Sequence, residues 1–84
     1  MTYTIEYAKA FSWKNLEKIP KNDLRMIRNS IEQKLTTEPI AFGKPLRHTL
    51  KGSRRLRVGD YRIIYNVKKK TVTISLIANR SKVY

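Results

Sequence analysis

Three arginines, Arg55, Arg57 and Arg62, are brought together by the run S-R-R-L-R-V-G-D-Y-R-I-I-Y from Ser53 to Tyr65. Gly59 followed by Asp60 suits a two-residue hairpin loop, whose first position takes a positive φ that glycine adopts without a Cβ clash. With that loop, Val58 lies opposite Tyr61, Arg57 opposite Arg62, Leu56 opposite Ile63 and Arg55 opposite Ile64. Side chains alternate along a strand, so Arg55, Arg57 and Arg62 share one face. Leu56, Val58, Tyr61, Ile63 and Tyr65 share the other. Guanidiniums grouped on a sheet repel one another unless an anion sits among them, and each presents a planar fork that pairs with phosphate and stacks on bases. Phosphate binding is the chemistry this pattern predicts.

Two residues near the end of the chain extend the cluster. Arg80 and Tyr84 follow the last expected strand and arrive at the edge of the basic face. Tyr84 alone reads as an aromatic packed on a sheet edge; beside Arg80 it becomes a candidate for base stacking or for proton transfer. His48 is the one side chain that titrates near neutrality unaided, and between Arg47 and Lys51 it reads either as a surface residue or as a catalyst. Lys68-Lys69-Lys70 reads as a solvated basic turn.

The totals narrow the classes. Eighty-four residues make one domain, 1–84, with a single core. With no Cys, one His and six scattered carboxylates, neither disulfides nor a metal site is expected. No apolar run is long enough to span a membrane, and the N-terminus lacks a signal pattern, so a cytoplasmic protein is expected. The net charge is +13, and it is uneven: residues 43–84 hold twelve basic side chains and one acidic, against seven and five in residues 1–42. The C-terminal half is the one that faces a polyanion.

Those side chains need a scaffold. Thr2–Tyr7 alternates as a first strand, and Ala8–Lys18 is helix-prone, with Phe11, Leu16 and Ile19 as core contacts. After Pro20, Asn22 or Asp23 caps a second helix with the apolar stripe Leu24, Ile27, Ile31 and Leu35. Ile40–Gly52 reads as a connecting loop with Leu46 and Leu50 tucked beneath it. Three strands follow, near Arg54–Val58, Tyr61–Val67 and Thr71–Ile77. A turn at Lys69-Lys70 pairs Val67 with Val72, Tyr65 with Ile74 and Ile63 with Leu76. That register puts Leu76 on the apolar face and leaves Ile64 and Ile77 as exceptions on the polar one. The fold class is α+β: an N-terminal strand, a two-helix hairpin, then a three-stranded antiparallel meander, with the helices on one face of a twisted sheet.

F-G-K-P-L-R-H-T-L-K-G at Phe42–Gly52, R-R-L-R-V-G-D-Y-R-I-I-Y at Arg54–Tyr65 and N-R-S-K-V-Y at Asn79–Tyr84 together resemble the RelE/ParE superfamily of toxin–antitoxin toxins. The resemblance covers essentially the whole chain. It implies the RelE-like fold and, in the RelE branch, a type II toxin that cleaves messenger RNA in the ribosomal A site by metal-independent attack of a 2′-OH, with no cofactor. Arg55, Arg57, Arg62, Arg80 and Tyr84 fall on that branch's catalytic positions. Lys44, Arg47, His48, Lys51, Arg54 and Lys82 are then the expected RNA-binding residues. The implied partners are a cognate acidic, RelB-like antitoxin, the ribosome and its messenger, no membrane, and operator DNA reached through the antitoxin. One departure matters. The best-known members carry lysines at the first two positions, one a proposed general base, and arginine scarcely loses its proton. Tyr84 or His48 would then be the base, or Arg57 would act electrostatically. The ParE branch implies the alternative, a non-enzymatic inhibitor of DNA gyrase, and a generic RNA-binding module is a third reading.

Overall fold

The hairpin at Gly59-Asp60 sits in the middle of the computed structural model, which describes residues 2–45 and 52–79. Strands β1 (Thr4–Tyr7), β2 (Lys44–Pro45), β3 (Ser53–Val58), β4 (Tyr61–Lys68) and β5 (Thr71–Asn79) form one sheet. Its order is β1-β5-β4-β3-β2, with β1 parallel to β5 and every other neighbour antiparallel. Gly59 takes φ 58°, as the turn requires, and β3 and β4 pair in the predicted register. Lys69, at φ 56°, makes the second turn, and Val67 meets Val72 and Tyr65 meets Ile74 as expected.

Beyond Tyr65 the predicted pairing fails. A bulge between Ile64 and Tyr65 in the β4–β5 ladder places Ile64 opposite Leu76 and Ile63 opposite Ile77, leaving Ser75 as the extra residue. The Ser75 hydroxyl donates to the Ile64 carbonyl at 3.2 Å. Leu76 therefore joins Ile64 on the face away from the helices, and Ile77 enters the core at 2 % exposure. The expectation for these two residues is reversed.

The helical layer also differs in detail. Only Lys14–Glu17 (α1) is helical within the expected Ala8–Lys18 helix. The preceding segment is held in a turn, Ala8 N–H donating to the Ile74 carbonyl at 2.9 Å and Phe11 N–H to Ala8 at 3.0 Å. Helix α2 (Lys21–Ser30) begins directly after Pro20, so neither Asn22 nor Asp23 is its cap. It runs on as a π-helical stretch, Ile31–Leu35. Apolar residues four apart drift around an α-helix, whose turn is 3.6 residues; the wider π turn opposes that drift and keeps Leu35 in line with Ile27 and Ile31, all three buried. Thr36 and Thr37 hydroxyls donate back to the carbonyls of Glu32 and Gln33, the latter at 2.7 Å, where the helix ends. The expected Ile40–Gly52 loop contains the end of a short helix α3 (Pro39–Phe42) and strand β2. Leu46 and Leu50 lie outside the described residues.

The core lies between the two layers. Phe11, Ile19, Ile27, Ile31 and Leu35 pack on Leu56, Val58, Tyr61, Ile63, Tyr65, Val72, Ile74 and Ile77. Two core tyrosines tie the layers together: the Tyr61 hydroxyl donates to Asp23 Oδ2 at 2.8 Å, and the Tyr65 hydroxyl to the Pro39 carbonyl at 2.6 Å. Among the described residues, no helix is long and apolar enough to cross a membrane.

Candidate nucleic-acid interface

Alternation and register fill the sheet's outer face in rows. Arg57, Arg62 and Ala78 form one row across β3, β4 and β5; Arg55, Ile64 and Leu76 form the next. Ser53, Asn66 and Thr73 form a third, in which Ser53 Oγ lies 3.0 Å from Asn66 Oδ1. The bulge thus adds Leu76 to Ile64 in the row of Arg55, where the two offer an apolar bed to a guanidinium stem.

The three arginines border a cavity of about 290 Å³ at the β2 edge of the sheet. Strand β2 pairs with Arg54 and Arg55, and among the described residues Leu56–Val58 have no neighbouring strand on that side. Lys44, opposite Arg55, adds a fourth cation to the lining, and Lys34 from the π-helical stretch a fifth. Phe42, 48 % exposed, completes the wall, with Lys34 Nζ at 5.5 Å from its ring centroid. Among the described residues, no carboxylate lines the cavity. Five cations and one aromatic around a small concave site make a strongly positive potential that concentrates phosphate.

Arg54 does something else. Its guanidinium turns to the helix side and donates to the carbonyls of Ile40 at 2.6 Å and Gly43 at 2.7 Å. There it anchors α3 and β2, which carry Phe42 and Lys44. Arg54, one of the expected RNA-binding residues, thereby supports the wall of the site. Tyr61 and Tyr65 lie in the core as expected. The hydrogen bond to Asp23 holds the Tyr61 phenol above its ordinary pKa, and burial raises that of Tyr65, with Arg54 in partial opposition. Both stay protonated at neutral pH, so neither is a base for the outer face.

A model of the ParE toxin of type II toxin–antitoxin systems (parDE) matches residues 5–84. The chain belongs to that family. Toxin RelG of Mycobacterium tuberculosis is 31% identical over 86 residues, covering 100% of this chain and 98% of the relative. Toxin RelE of the same organism is 33% identical over 73 residues, covering 84% and 75%. Among solved structures, the toxin–antitoxin complex RelBE2 of M. tuberculosis superposes with a TM-score of 0.82 at 30% identity, over 96% of this chain and 94% of that one. The archaeal RelE–RelB complex of Pyrococcus horikoshii gives 0.62 at 30%, over 99% and 100%. The α+β fold is the RelE fold, and the protein is a RelE-like toxin of a type II toxin–antitoxin system.

In this toxin, four of the residues singled out by sequence, Lys44, Arg55, Arg57 and Arg62, meet at one cavity. Arg47, His48, Lys51, Arg80, Lys82 and Tyr84 lie outside the described residues. Sequence reasoning missed Lys34 and Phe42. Lys34 falls on a helix beside the apolar stripe, with nothing local to single it out. Phe42 carried a faint signal, an aromatic two residues before Lys44 in a basic segment.

Proposed function

We propose that the toxin is an endoribonuclease that cleaves messenger RNA in the ribosomal A site without a catalytic metal, and so arrests translation. The observation that carries this reading is the pair Arg57–Arg62, opposite each other on adjacent strands at a cavity also lined by Arg55, Lys44 and Lys34. The 2′-oxygen of one nucleotide attacks the adjacent phosphorus, its proton passing to a base. The P–O5′ bond breaks and the departing oxygen takes up a proton, leaving a 2′,3′-cyclic phosphate and a 5′-OH. Arg57 and Arg62 stabilise the charge that builds on the phosphorane, a contribution of about 3–4 kcal/mol per well-placed donor. Arg55 and Arg80 hold flanking phosphates. Arginine keeps its proton, so the base is Tyr84 or His48, and the ribosome supplies orientation that this small surface lacks.

The toxin works in the cytoplasm, where the ribosomes are, and is silenced by an acidic antitoxin. A charge of +13 favours rapid capture by such a partner. The M. tuberculosis and P. horikoshii structures are toxin–antitoxin complexes, which supports a RelB-like partner here; the complex would reach operator DNA through that partner.

Primer extension on programmed ribosomes, with naked RNA alongside, tests the reading. Cuts at the A-site codon only with ribosomes, lost in a folded Arg62→Ala variant, are expected. An active Arg62→Ala variant overturns the assignment. No cuts from folded, antitoxin-free protein, together with inhibition of gyrase supercoiling, would establish the ParE-type alternative.

A further inference from the structure

We propose that Phe42 is the stacking wall of a subsite for one unpaired nucleotide, with Lys34 behind its ring and the nucleotide's phosphate on Arg57 and Lys44. The proposal rests on the ribonuclease reading and names the substrate that the site takes: single-stranded RNA, held by base and backbone together. Three observations carry it. Phe42 is a large aromatic left 48 % exposed at the mouth of a basic cavity. It is held there, Pro39 being fully buried, the Phe42 N–H donating to Glu38 at 3.1 Å, and Arg54 bonding the carbonyls on either side of it. Lys34 sits over the ring at 5.5 Å, adding positive charge without covering the remaining surface.

The ligand chemistry follows from that combination. An acidic peptide would satisfy the cations, but its carboxylates are repelled by the negative face of an aromatic ring. A duplex would satisfy the cations too, but its bases are already stacked on one another. An unpaired nucleotide uses both, because every base has a π-face and its phosphate lies one sugar away. The cavity, about 290 Å³, has room for one nucleotide rather than several. Phe42 and Lys34 belong to the helical layer and the arginines to the sheet, so the subsite exists only where the two layers meet beside β3. Phe42 acts here as a positioning residue, setting the register of the strand on the arginines.

The test is binding of an uncleavable trinucleotide, 2′-O-methylated throughout with a central 2-aminopurine, to the full-length toxin at low salt. Wild type is expected to quench the 2-aminopurine. Phe42→Leu keeps apolar bulk and should bind about tenfold more weakly, without the quenching, as loss of one stacked base predicts. Phe42→Trp should retain affinity, and an unlabelled trinucleotide should quench its indole emission above the Trp13 background. Arg57→Gln should weaken binding and lower the salt slope by about one phosphate contact. Unchanged affinity and quenching in Phe42→Leu, or an indole in Phe42→Trp that does not respond, overturns the subsite. If Arg57→Gln still weakens binding in that case, the ribonuclease reading stands without it. Absence of both trinucleotide binding and ribosomal cleavage in wild type overturns both.

Discussion

Arg57 and Arg62 are paired residues of the β3–β4 ladder, directly opposite each other on the sheet face turned away from the helices. Like charges in that relationship disfavour the fold, by roughly 0.2–1 kcal/mol relative to neutral partners. On the proposed function, that cost is accepted for a surface that attracts phosphate. Arg57→Gln is therefore expected to raise Tm by a few degrees at low ionic strength while weakening RNA binding. Screening should shrink the gain as salt is added. Thermal melts of both proteins at low and high salt check this; a variant that is no more stable at low salt would show the charge already compensated.

Gly43 is buried against Tyr65, and a Cβ placed on it would come within 1.7 Å of the tyrosine oxygen. Its extended backbone, φ −93° and ψ 162°, suits any residue, so the constraint is space. Gly43→Ala should cost about 1–3 kcal/mol by forcing β2 off the tyrosine or the tyrosine off Pro39. Because β2 carries Lys44 and adjoins Phe42, RNA binding should fall with stability. Urea denaturation together with the trinucleotide titration measures both.

Tyr65→Phe removes the hydroxyl that meets the Pro39 carbonyl and should cost about 1 kcal/mol at neutral pH. The alkaline limb carries a separate signature. Burial holds the Tyr65 phenol above the ordinary value of 10.0, so the unfolded chain loses this proton first. The stabilisation is full below about pH 10 and declines as pH rises from there toward the folded value. Tyr61, raised by its bond to Asp23, and Tyr7, raised by burial, act in the same sense. Denaturation midpoints from about pH 9 to 11 should fall less steeply in Tyr65→Phe than in wild type. Parallel curves would show that Tyr65 does not contribute.

Lys69 holds φ 56° in the β4–β5 turn, a conformation that costs a side-chain-bearing residue about 1–2 kcal/mol. Lys69→Gly removes that cost but frees the unfolded chain, and the balance should stabilise by up to about 1 kcal/mol. Its exposed ammonium is remote from the Phe42 cavity, so trinucleotide affinity should hardly change. Melting and titration of this one variant test both statements.

The sequence by itself determined what local rules decide. Gly59 requires its turn, the turn sets the β3–β4 register, and alternation then commits Arg55, Arg57 and Arg62 to one face and five apolar side chains to the other. The stripe Ile27, Ile31, Leu35 declared its buried face in the same way. The bulge was not readable, because Leu76 and Ile77 are both apolar and either would satisfy the pattern. Packing decided it: the one-residue shift turns Ile77 into the core, where it shares with Leu16, Leu24 and Ile27 the lining of a cavity between the sheet and helices α1 and α2. Alternation does assign Arg54 to the helix side, but only the fold brings the carbonyls of Ile40 and Gly43 there to receive it. Lys34 and Phe42 met for a related reason. They lie on separate helical segments, and the docking of α3 against the π-helical stretch, with Tyr65 bonded to Pro39, sets them together at the arginines. Turn chemistry and periodicity act within a few residues and can be read along the chain; the closing of the site depends on contacts between layers, which form only when both are packed.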